Sequence, residues 1–274
     1  MENKKITLIG AGNLGRAIAC GIVEQKVALA QEITLTKRDL SNLSDLMKQG
    51  FNVSSNNGAA VKNADIILLC VQPSQLASVL SEIDQFLNPD KLLISVITGI
   101  SSEKIAGQLS FAIPIVRAMP NTAIAIGESM TCLSSASASG LRMAKKLFDV
   151  LGETLVIEEE LMQAGTVLGA SGVAFFMRYL RAATQGGIQM GFDSKDAQLI
   201  ATQTAKGAAS LILEDHSHPE VEIDKVTTPQ GCTIEGLNEM EHKGFSSALI
   251  QGIMTSFHRI TKMKSNKEQT NEIV

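Results

Sequence analysis

The segment that most constrains the fold lies near the N-terminus, where residues 6–15 spell Ile-Thr-Leu-Ile-Gly-Ala-Gly-Asn-Leu-Gly. Its apolar start predicts a β-strand, and residues 13–24 predict an α-helix that follows at once. Gly10 would allow a tight turn out of the strand, Gly12 a close approach of the backbone to a pyrophosphate, and Gly15 tight packing of the helix on the strand. The segment therefore predicts a dinucleotide-binding loop.

The start of the predicted helix supplies the other half of this loop. Its free N–H groups and the positive end of the helix dipole would face an anion. The alternative is an ordinary glycine-rich turn, but the strand before the loop and a second strand at the expected distance favour the dinucleotide. The residues predicted to contact the cofactor here are Gly10, Gly12, Asn13, Leu14 and Gly15.

The end of the second predicted strand, residues 33–36, bears on which dinucleotide binds. A loop for NAD has an acidic residue at this strand end, where it accepts the ribose 2′-hydroxyl. This chain has Thr36, Lys37 and Arg38 before any acid. The two cations favour a 2′-phosphate and so predict NADP(H), with NAD(H) left open. The alternative is a solvated basic turn in which Asp39 takes the role of the acid.

The chain up to about residue 158 alternates strand and helix patterns, which predicts a doubly wound, mainly parallel α/β sheet of the Rossmann type. Further strands are predicted at residues 52–54, 66–71, 92–97, 115–119 and 155–157, and helices at 40–49, 57–61 and 136–151. Because the ends of parallel strands face the ligand crevice, residues at the ends of two of these strands are predicted to contact the cofactor. They are Val71, Gln72 and Pro73 at one strand end and Met119, Pro120 and Asn121 at another, with Asn57 at the start of a short helix. The uncharged loop after Met119 suits an amide such as nicotinamide, although an Asx turn explains it equally well.

An acidic run at residues 158–160 marks a change to continuous helical pattern, and we interpret the run as a solvated helix start. The predicted domains are residues 1–158, which bind the dinucleotide, residues 159–264, which are all-α, and a polar tail at 265–274. The helical part is rich in glycine, which destabilises a helix by about 1 kcal/mol relative to alanine, so close helix packing is expected. A further helix is predicted at 194–214 and a polar connection at 216–224.

Residues 227–233, Thr-Thr-Pro-Gln-Gly-Cys-Thr, predict the start of another helix. Hydroxyl groups before a proline, and free N–H groups after it, are able to hold a carboxylate. A capped helix that binds no ligand explains this segment equally well.

Composition argues against several classes of partner. The 274 residues carry 24 basic and 28 acidic side chains, and the net charge of −4 gives no electrostatic reason to expect nucleic acid or an anionic membrane. The apolar runs are too short to span a bilayer, and no signal peptide is visible. The four cysteines have neither metal-ligand nor disulfide spacing, so we expect no metal site and a cytoplasmic location.

Taken together, these segments resemble the pyrroline-5-carboxylate reductase family over nearly the whole chain. The resemblance rests on the glycine loop and on three further motifs. These are Arg117-Ala118-Met119-Pro120-Asn121-Thr122, Gly169-Ala170-Ser171-Gly172-Val173-Ala174 and Val226-Thr227-Thr228-Pro229-Gln230-Gly231-Cys232-Thr233-Ile234-Glu235-Gly236-Leu237. The glycine loop is weakly specific, whereas the first and third of these motifs together are strongly specific.

The resemblance implies NAD(P)H-dependent reduction of 1-pyrroline-5-carboxylate to L-proline, the last step of proline biosynthesis. It implies that hydride passes to the C=N carbon and that the hydroxyl of Thr233, the catalytic residue, faces the imine nitrogen. The residues implied to bind the substrate are Ser171, Gly172, Thr228, Gly231 and Cys232. The resemblance also implies an intertwined homodimer through the C-terminal helices, which often assembles into a decamer.

This chain departs from the family pattern at several positions. Gln72 stands where a lysine commonly precedes the proline, and Ala123 and Val173 replace prolines. Gln230 and Cys232 interrupt a Pro-Gly-Gly-Thr-Thr sequence. Gln230 matters most, because a turn that needs a glycine with positive φ at this position would have to rearrange.

Two other functions stay open at this point. A β-hydroxyacid dehydrogenase also joins a Rossmann domain to a helical one, but it uses a helix lysine on its substrate, and no lysine lies between Lys146 and Lys195. A non-catalytic NADP(H)-binding sensor would keep the cofactor loop and lose turnover through changes such as Gln230. Cys232 as a covalent nucleophile is disfavoured, because hydride transfer needs no covalent intermediate and no histidine is adjacent.

Overall fold

The computed structural model describes the backbone of residues 4–271 and the side chains of residues 4–262. The chain forms two compact units. The first consists of the chain up to Ser171 together with the segment that begins at Phe257, and the second is Gly172–Ser256.

The first unit contains one eight-stranded sheet. Its strands are β1 (Ile6–Ile9), β2 (Ile33–Thr36), β3 (Asn52–Ser54), β4 (Ile66–Leu69), β5 (Leu92–Ser95), β6 (Ile115–Met119), β7 (Ser129–Ser134) and β8 (Gly152–Val156). They lie in the order β3-β2-β1-β4-β5-β6-β7-β8. All neighbours are parallel except β6 and β7, which are antiparallel. The predicted mainly parallel sheet is therefore confirmed.

Helices cover both faces of this sheet. They are α1 (Asn13–Glu24), α2 (Ser44–Lys48), α3 (Asn57–Lys62), α4 (Leu76–Ile83), α5 (Ser102–Ala106), α6 (Ala138–Phe148) and α7 (Met162–Gly165). Along β4, Ile66 and Leu68 point into one apolar cluster and Ile67 and Leu69 into another. Because a strand alternates its side chains between two faces, these clusters are the two cores of a doubly wound sheet.

Several elements differ from the sequence-based prediction. Strand β4 ends at Leu69 and β5 at Ser95, two residues earlier than predicted, so the residues that follow are free to turn into the crevice. Strand β7 was missed, because half of its six residues are serine or threonine and it has no continuous apolar run. The predicted helix at 40–49 is shorter, since Asn42 leaves the helical conformation and α2 begins only at Ser44.

The second unit is helical. Its elements are α8 (Gly172–Gln189), α9 (Ser194–Asp215), α10 (Pro219–Val226), α11 (Cys232–His242) and the first part of α12 (Phe245–Asn271). Gly187 lies so near Ala197 that a Cβ atom at Gly187 would be 2.9 Å from the alanine Cβ, so close packing of α8 on α9 does depend on a small residue. The predicted polar connection at 216–224 was wrong, because the His218 side chain caps α10 by accepting the Glu220 N–H.

The turn before α11 has an unusual backbone. Gly231 N–H donates to Thr228 O at 2.9 Å, with Pro229 and Gln230 between them. Gln230 has φ 58°, so this arrangement matches a type II turn, in which the third residue requires positive φ. The turn therefore keeps the left-handed position that the family glycine would suit, and Gln230 adopts it at a cost of roughly 1–2 kcal/mol.

The acidic run before α7 is not simply a solvated helix start, and that interpretation was wrong for one residue. Glu159 accepts hydrogen bonds from Ser102 N–H at 3.0 Å and from Arg117 Nη1 at 2.9 Å. Burial alone would raise the pKa of Glu159, but the hydrogen bonds from Ser102 and from the Arg117 guanidinium hold it below the ordinary value. Arg117 is buried at β6, so Glu159 neutralises a charge that would otherwise be costly to bury.

No helix within the described residues is both long enough and apolar enough to cross a membrane. The domain boundaries at residues 158 and 264 stay a prediction. The side chains of the predicted polar tail, residues 265–274, lie outside the described residues.

We predict that Glu159→Gln lowers the free energy of unfolding by about 1.5–3 kcal/mol at pH 7, because a hydrogen-bonded charge pair with buried Arg117 is lost. The folded-state pKa of Glu159 lies below its ordinary value of 4.5. Its stabilisation is therefore complete above that value and is lost as pH falls through the folded-state pKa. Urea unfolding at pH 7 and at more acidic pH should show the gap between variant and wild type closing.

The matched control is Glu160→Gln, which removes a neighbouring exposed carboxylate from the same acidic run. It should change the free energy of unfolding by less than about 0.5 kcal/mol. Equal effects of the two substitutions would mean that the contact with Arg117 contributes no more than general surface charge.

Candidate active site

The turn from β1 into α1 is held by backbone contacts that only glycine permits. Gly10 has φ 108°, and a Cβ atom there would lie 2.5 Å from Cys70 O. A Cβ at Gly15 would collide with Gly10 O. At Gly12, by contrast, a Cβ would meet no protein atom within 4 Å. The first two glycines therefore serve the packing of the chain itself, whereas Gly12 leaves space for a ligand.

A cavity of about 630 Å³ opens beside Gly12, where β1, β4 and β5 end. The predicted cofactor residues that line it are Gly12, Asn13, Leu14, Val71, Gln72 and Pro73. The structure adds residues that the sequence analysis missed, namely Cys70, residues 96–100 and Ile260. The segment after β5 was detectable, since it follows a parallel strand next to β4 in the sheet. Ile260 lies far along the chain and has no local signal.

None of the described residues that line this cavity carries a charged side chain. Burial raises the pKa of Cys70 to about 12, so its thiol stays protonated at neutral pH and is not a nucleophile. The groups available to a ligand are therefore backbone amides, apolar surface and neutral polar side chains such as Asn13 and Thr98. Such a lining binds and orients a molecule but supplies no strong acid or base.

Next to the glycine loop, the end of β2 gathers the residues predicted to read the ribose. Gly10 N–H and Ala11 N–H both donate to Thr36 O, at 3.1 and 2.9 Å. The Thr36 hydroxyl donates to Asn57 Oδ1 at 2.6 Å. These contacts hold Thr36 and Asn57 against the glycine loop, so the chain that follows β2 begins next to that loop.

The basic residues after β2 differ from the acid that follows them. Arg38 is exposed and makes no hydrogen bond or ion pair within the described part of the chain, and Lys37 is partly exposed. Asp39 Oδ1 accepts the Ser41 N–H at 2.9 Å, and this bond lowers the pKa of Asp39. The Asp39 carboxylate is thus engaged in its own turn, while Arg38 is available to an anion.

The predicted nicotinamide residues lie at the end of β6, with Met119 its last residue, and do not line the cavity. Met119 is buried, and its sulfur lies 3.9 Å from the Thr98 hydroxyl, which connects it to the end of β5. Asn121 is buried too, and its amide bonds to the protein at both ends. The structure thus brings these residues to the neighbouring strand end without exposing their side chains.

The residues implied to bind substrate fall in two places. Ser171 is the last residue of a π-helical turn, Thr166–Ser171, and the buried Gly172 begins α8. Thr228, Gly231, Cys232 and Thr233 surround the start of α11 in the second unit.

At the start of α11, Gly231 is the N-cap, and no side chain caps the helix. The Gly231 N–H is already bonded to Thr228 O, which leaves the N–H groups of Cys232 and Thr233 for an anion. The Thr233 side chain is exposed, and its hydroxyl has no hydrogen-bond partner within the described residues. A helix start with these properties is suited to a carboxylate.

Two known families match the chain. Residues 159–263 match the family described as pyrroline-5-carboxylate reductase dimerisation. Residues 5–99 match the family described as NADP oxidoreductase, coenzyme F420-dependent.

A solved structure is similar in fold. It is pyrroline carboxylate reductase from Plasmodium falciparum with NADP bound, and it matches with a TM-score of 0.87 over 96% of this chain and 99% of that chain, at 24% sequence identity.

Curated relatives extend the match to sequence. Pyrroline-5-carboxylate reductase 1 from Dictyostelium discoideum is 48% identical over 96% of this chain, which spans 50% of that protein's length. Pyrroline-5-carboxylate reductase 2 from the same organism is 40% identical over 99% of this chain and 97% of that protein. Identity of that level over almost the full length of both chains settles the assignment, and this chain belongs to the pyrroline-5-carboxylate reductase family.

Proposed function

We propose that this protein reduces 1-pyrroline-5-carboxylate to L-proline with NADPH. The observation that carries the proposal is the start of α11, where two backbone N–H groups and the unpaired Thr233 hydroxyl stand together at an uncapped helix. Family membership supplies the reaction, and this helix start supplies groups that fit a substrate with a carboxylate next to an imine.

The residues of the first unit fit a dinucleotide. Gly12 and the N–H groups that open α1 would hold its pyrophosphate, because the cavity has room where a Cβ would otherwise stand. NADPH, when bound, supplies the hydride. Lys37 and Arg38 would face the 2′-phosphate, and the apolar segment at residues 96–100 would keep water from the cavity.

At α11, the N–H groups of Cys232 and Thr233 would hold the substrate carboxylate with the help of the helix dipole. The Thr233 hydroxyl would face the imine nitrogen, donating a hydrogen bond to the neutral imine and accepting one from the N–H of the protonated imine. A protonated imine loses its charge as hydride arrives, so the reaction needs no strong acid, and water relays the proton because an alcohol is too weak an acid to be its source. The neutral cavity lining agrees with that requirement.

We also propose a homodimer through the helices of the second unit, which could assemble further into a decamer, and a cytoplasmic location. The support for the dimer is the match to a dimerisation family together with large apolar side chains left exposed on these helices. They include Phe176, Met177, Leu199 and Leu213. Such a surface is typical of an interface. Sedimentation at micromolar concentration tests the proposal, and a stable monomer would contradict it.

The assay that tests the function follows NADPH oxidation with 1-pyrroline-5-carboxylate and, separately, NAD(P) reduction with a 3-hydroxy acid. Turnover of the first substrate only is expected. Turnover of the hydroxy acid would favour a β-hydroxyacid dehydrogenase, and NADPH binding without turnover of either substrate would favour a sensor.

We predict that Arg38→Ala weakens the binding of NADPH by about 1.5–3 kcal/mol. The binding of NADH should be nearly unchanged, because only NADPH has the 2′-phosphate that a cation contacts. Fluorescence titration of both cofactors measures the two dissociation constants.

Asp39→Asn serves as the comparison for Arg38. Because the Asp39 carboxylate is bonded to Ser41 N–H, this change should leave the affinity for both cofactors within about twofold. Weaker NADH binding by the asparagine variant, with no effect of Arg38→Ala on NADPH, would mean that Asp39 reads the ribose hydroxyl instead.

We predict that Thr233→Ala lowers kcat/KM for 1-pyrroline-5-carboxylate by about 10- to 1000-fold, the range for losing a positioned proton-transfer or charge-stabilising group. The Kd for NADPH should stay constant. Thr233→Ser should recover part of the activity, because it restores the hydroxyl but not the methyl group that limits its rotation. Steady-state kinetics of the three proteins measure this.

Thr227→Ala is the control, since it removes a hydroxyl from the same segment. Within the described residues, that hydroxyl donates only to Asp224 O. This variant should leave kcat/KM within about twofold of the wild type. An alanine variant at Thr233 that behaves like this control would show that Thr233 is only a helix-start residue.

A further inference from the structure

Asn121 is the most fully bonded side chain at the end of β6. It is only 9% exposed. Its Oδ1 accepts the Ala123 N–H at 2.9 Å, and its backbone N–H donates to Ser129 Oγ at 3.0 Å. Its Nδ2 donates to Gly169 O at 3.1 Å, which lies 48 residues further along the chain. The first bond forms the local turn, the second reaches the start of β7, and the third reaches a more distant element.

That element is the π-helical turn Thr166–Ser171. A π-helix is rare, because the wider ring replaces the ordinary i to i+4 hydrogen bonds and leaves backbone groups to be satisfied otherwise. From outside the helix, the Asn121 amide donates a hydrogen bond to one carbonyl of this π turn, that of Gly169. A side-chain donor that competes for a helix carbonyl favours a widened turn over regular α-helix. Thr166 supports the same distortion from within by donating to Met162 O at 2.7 Å.

The π turn ends at Ser171, a residue implied to bind the substrate. A widened turn rotates the residues after it about the helix axis relative to a regular helix. The bond from Asn121 to Gly169 therefore bears on the direction in which the Ser171 N–H and hydroxyl point.

We propose that Asn121 is a positioning residue for the substrate, which acts through Gly169 by holding the π turn that presents Ser171. The inference rests on the proposed function for its consequence in catalysis. It differs from a direct contact of the Asn121 side chain with nicotinamide, since both ends of the amide are already bonded within the protein. The two roles separate experimentally, because one changes the KM for substrate and the other changes the Kd for cofactor.

The test is Asn121→Ser, because serine keeps an acceptor for the Ala123 N–H and its side chain is too short to reach Gly169 O. The KM for 1-pyrroline-5-carboxylate should rise about tenfold, while the Kd for NADPH stays within about twofold. Hydrogen exchange of the amides in residues 169–173 should become faster. Asn121→Asp, assayed at pH 8, serves if the serine variant folds poorly. It keeps the side-chain size and the acceptor for the Ala123 N–H but puts a second acceptor opposite Gly169 O. It should show the same rise in KM and the same faster exchange.

Thr131→Val is the matched control. The Thr131 hydroxyl lies 3.1 Å from Ser129 Oγ in the same buried network, and its loss leaves every bond of Asn121 in place. This variant should lower thermal stability without changing KM or the exchange of residues 169–173.

Three outcomes would overturn the inference. These are an unchanged KM in both Asn121 variants that fold, a loss confined to NADPH affinity, or a rise in KM equal to that of the Thr131 control. A wild-type protein that does not turn over the substrate overturns the proposed function instead. In that case the exchange of residues 169–173 decides the inference, and exchange unchanged by Asn121→Ser contradicts it.

Discussion

The first unit depends on one backbone contact, the approach of the β1 to α1 turn to the end of β4. Gly10 and Gly15 leave no room for a Cβ, because Cys70 O and Gly10 O occupy the space. Cys70 N–H donates to Ile9 O at 2.8 Å and closes the contact. Since β1 and β4 are neighbours in the sheet, this contact sets how closely α1 lies over their ends, and it places the free N–H groups of α1 at the cavity.

A second set of contacts ties β6 to the segment that leads out of the sheet. Arg117, in the strand, pairs with Glu159, and Asn121, just after it, bonds to Gly169. Both are buried, so each requires its partner, and the partners lie 42 and 48 residues away. The six-residue motif from Arg117 to Thr122, which spans the end of β6, thus combines strand, turn and long-range support. This explains why it has polar side chains in an otherwise apolar core.

The sequence detects β4 and β5 through their continuous apolar runs, although it extends each by two residues, since burial on both faces leaves a strong local pattern. Strand β7 has no such run, because Ser129 and Thr131 are buried by bonding to each other rather than by being apolar. Helix α10 was missed because its start has no typical cap residue in the sequence. Its cap is the His218 side chain, which accepts the Glu220 N–H. The cavity was predicted in part, because the ends of parallel strands face one crevice, but Ile260 had no signal near it.

The sequence by itself determined the glycine loop, the apolar strand segments of the sheet and the helix start that contains Thr233, because each depends on residues close together in the chain. Only the tertiary structure decided which groups remain for a ligand. It bonds Asp39 to Ser41, leaves Arg38 without a partner among the residues it describes, and uses the Gly231 N–H within the turn. It places Gln230 in a left-handed conformation without rearranging the turn. The physical reason is that a polar group is available to a ligand only when no partner within the protein has taken it, and residue types alone do not show whether a local turn or a distant element supplies that partner.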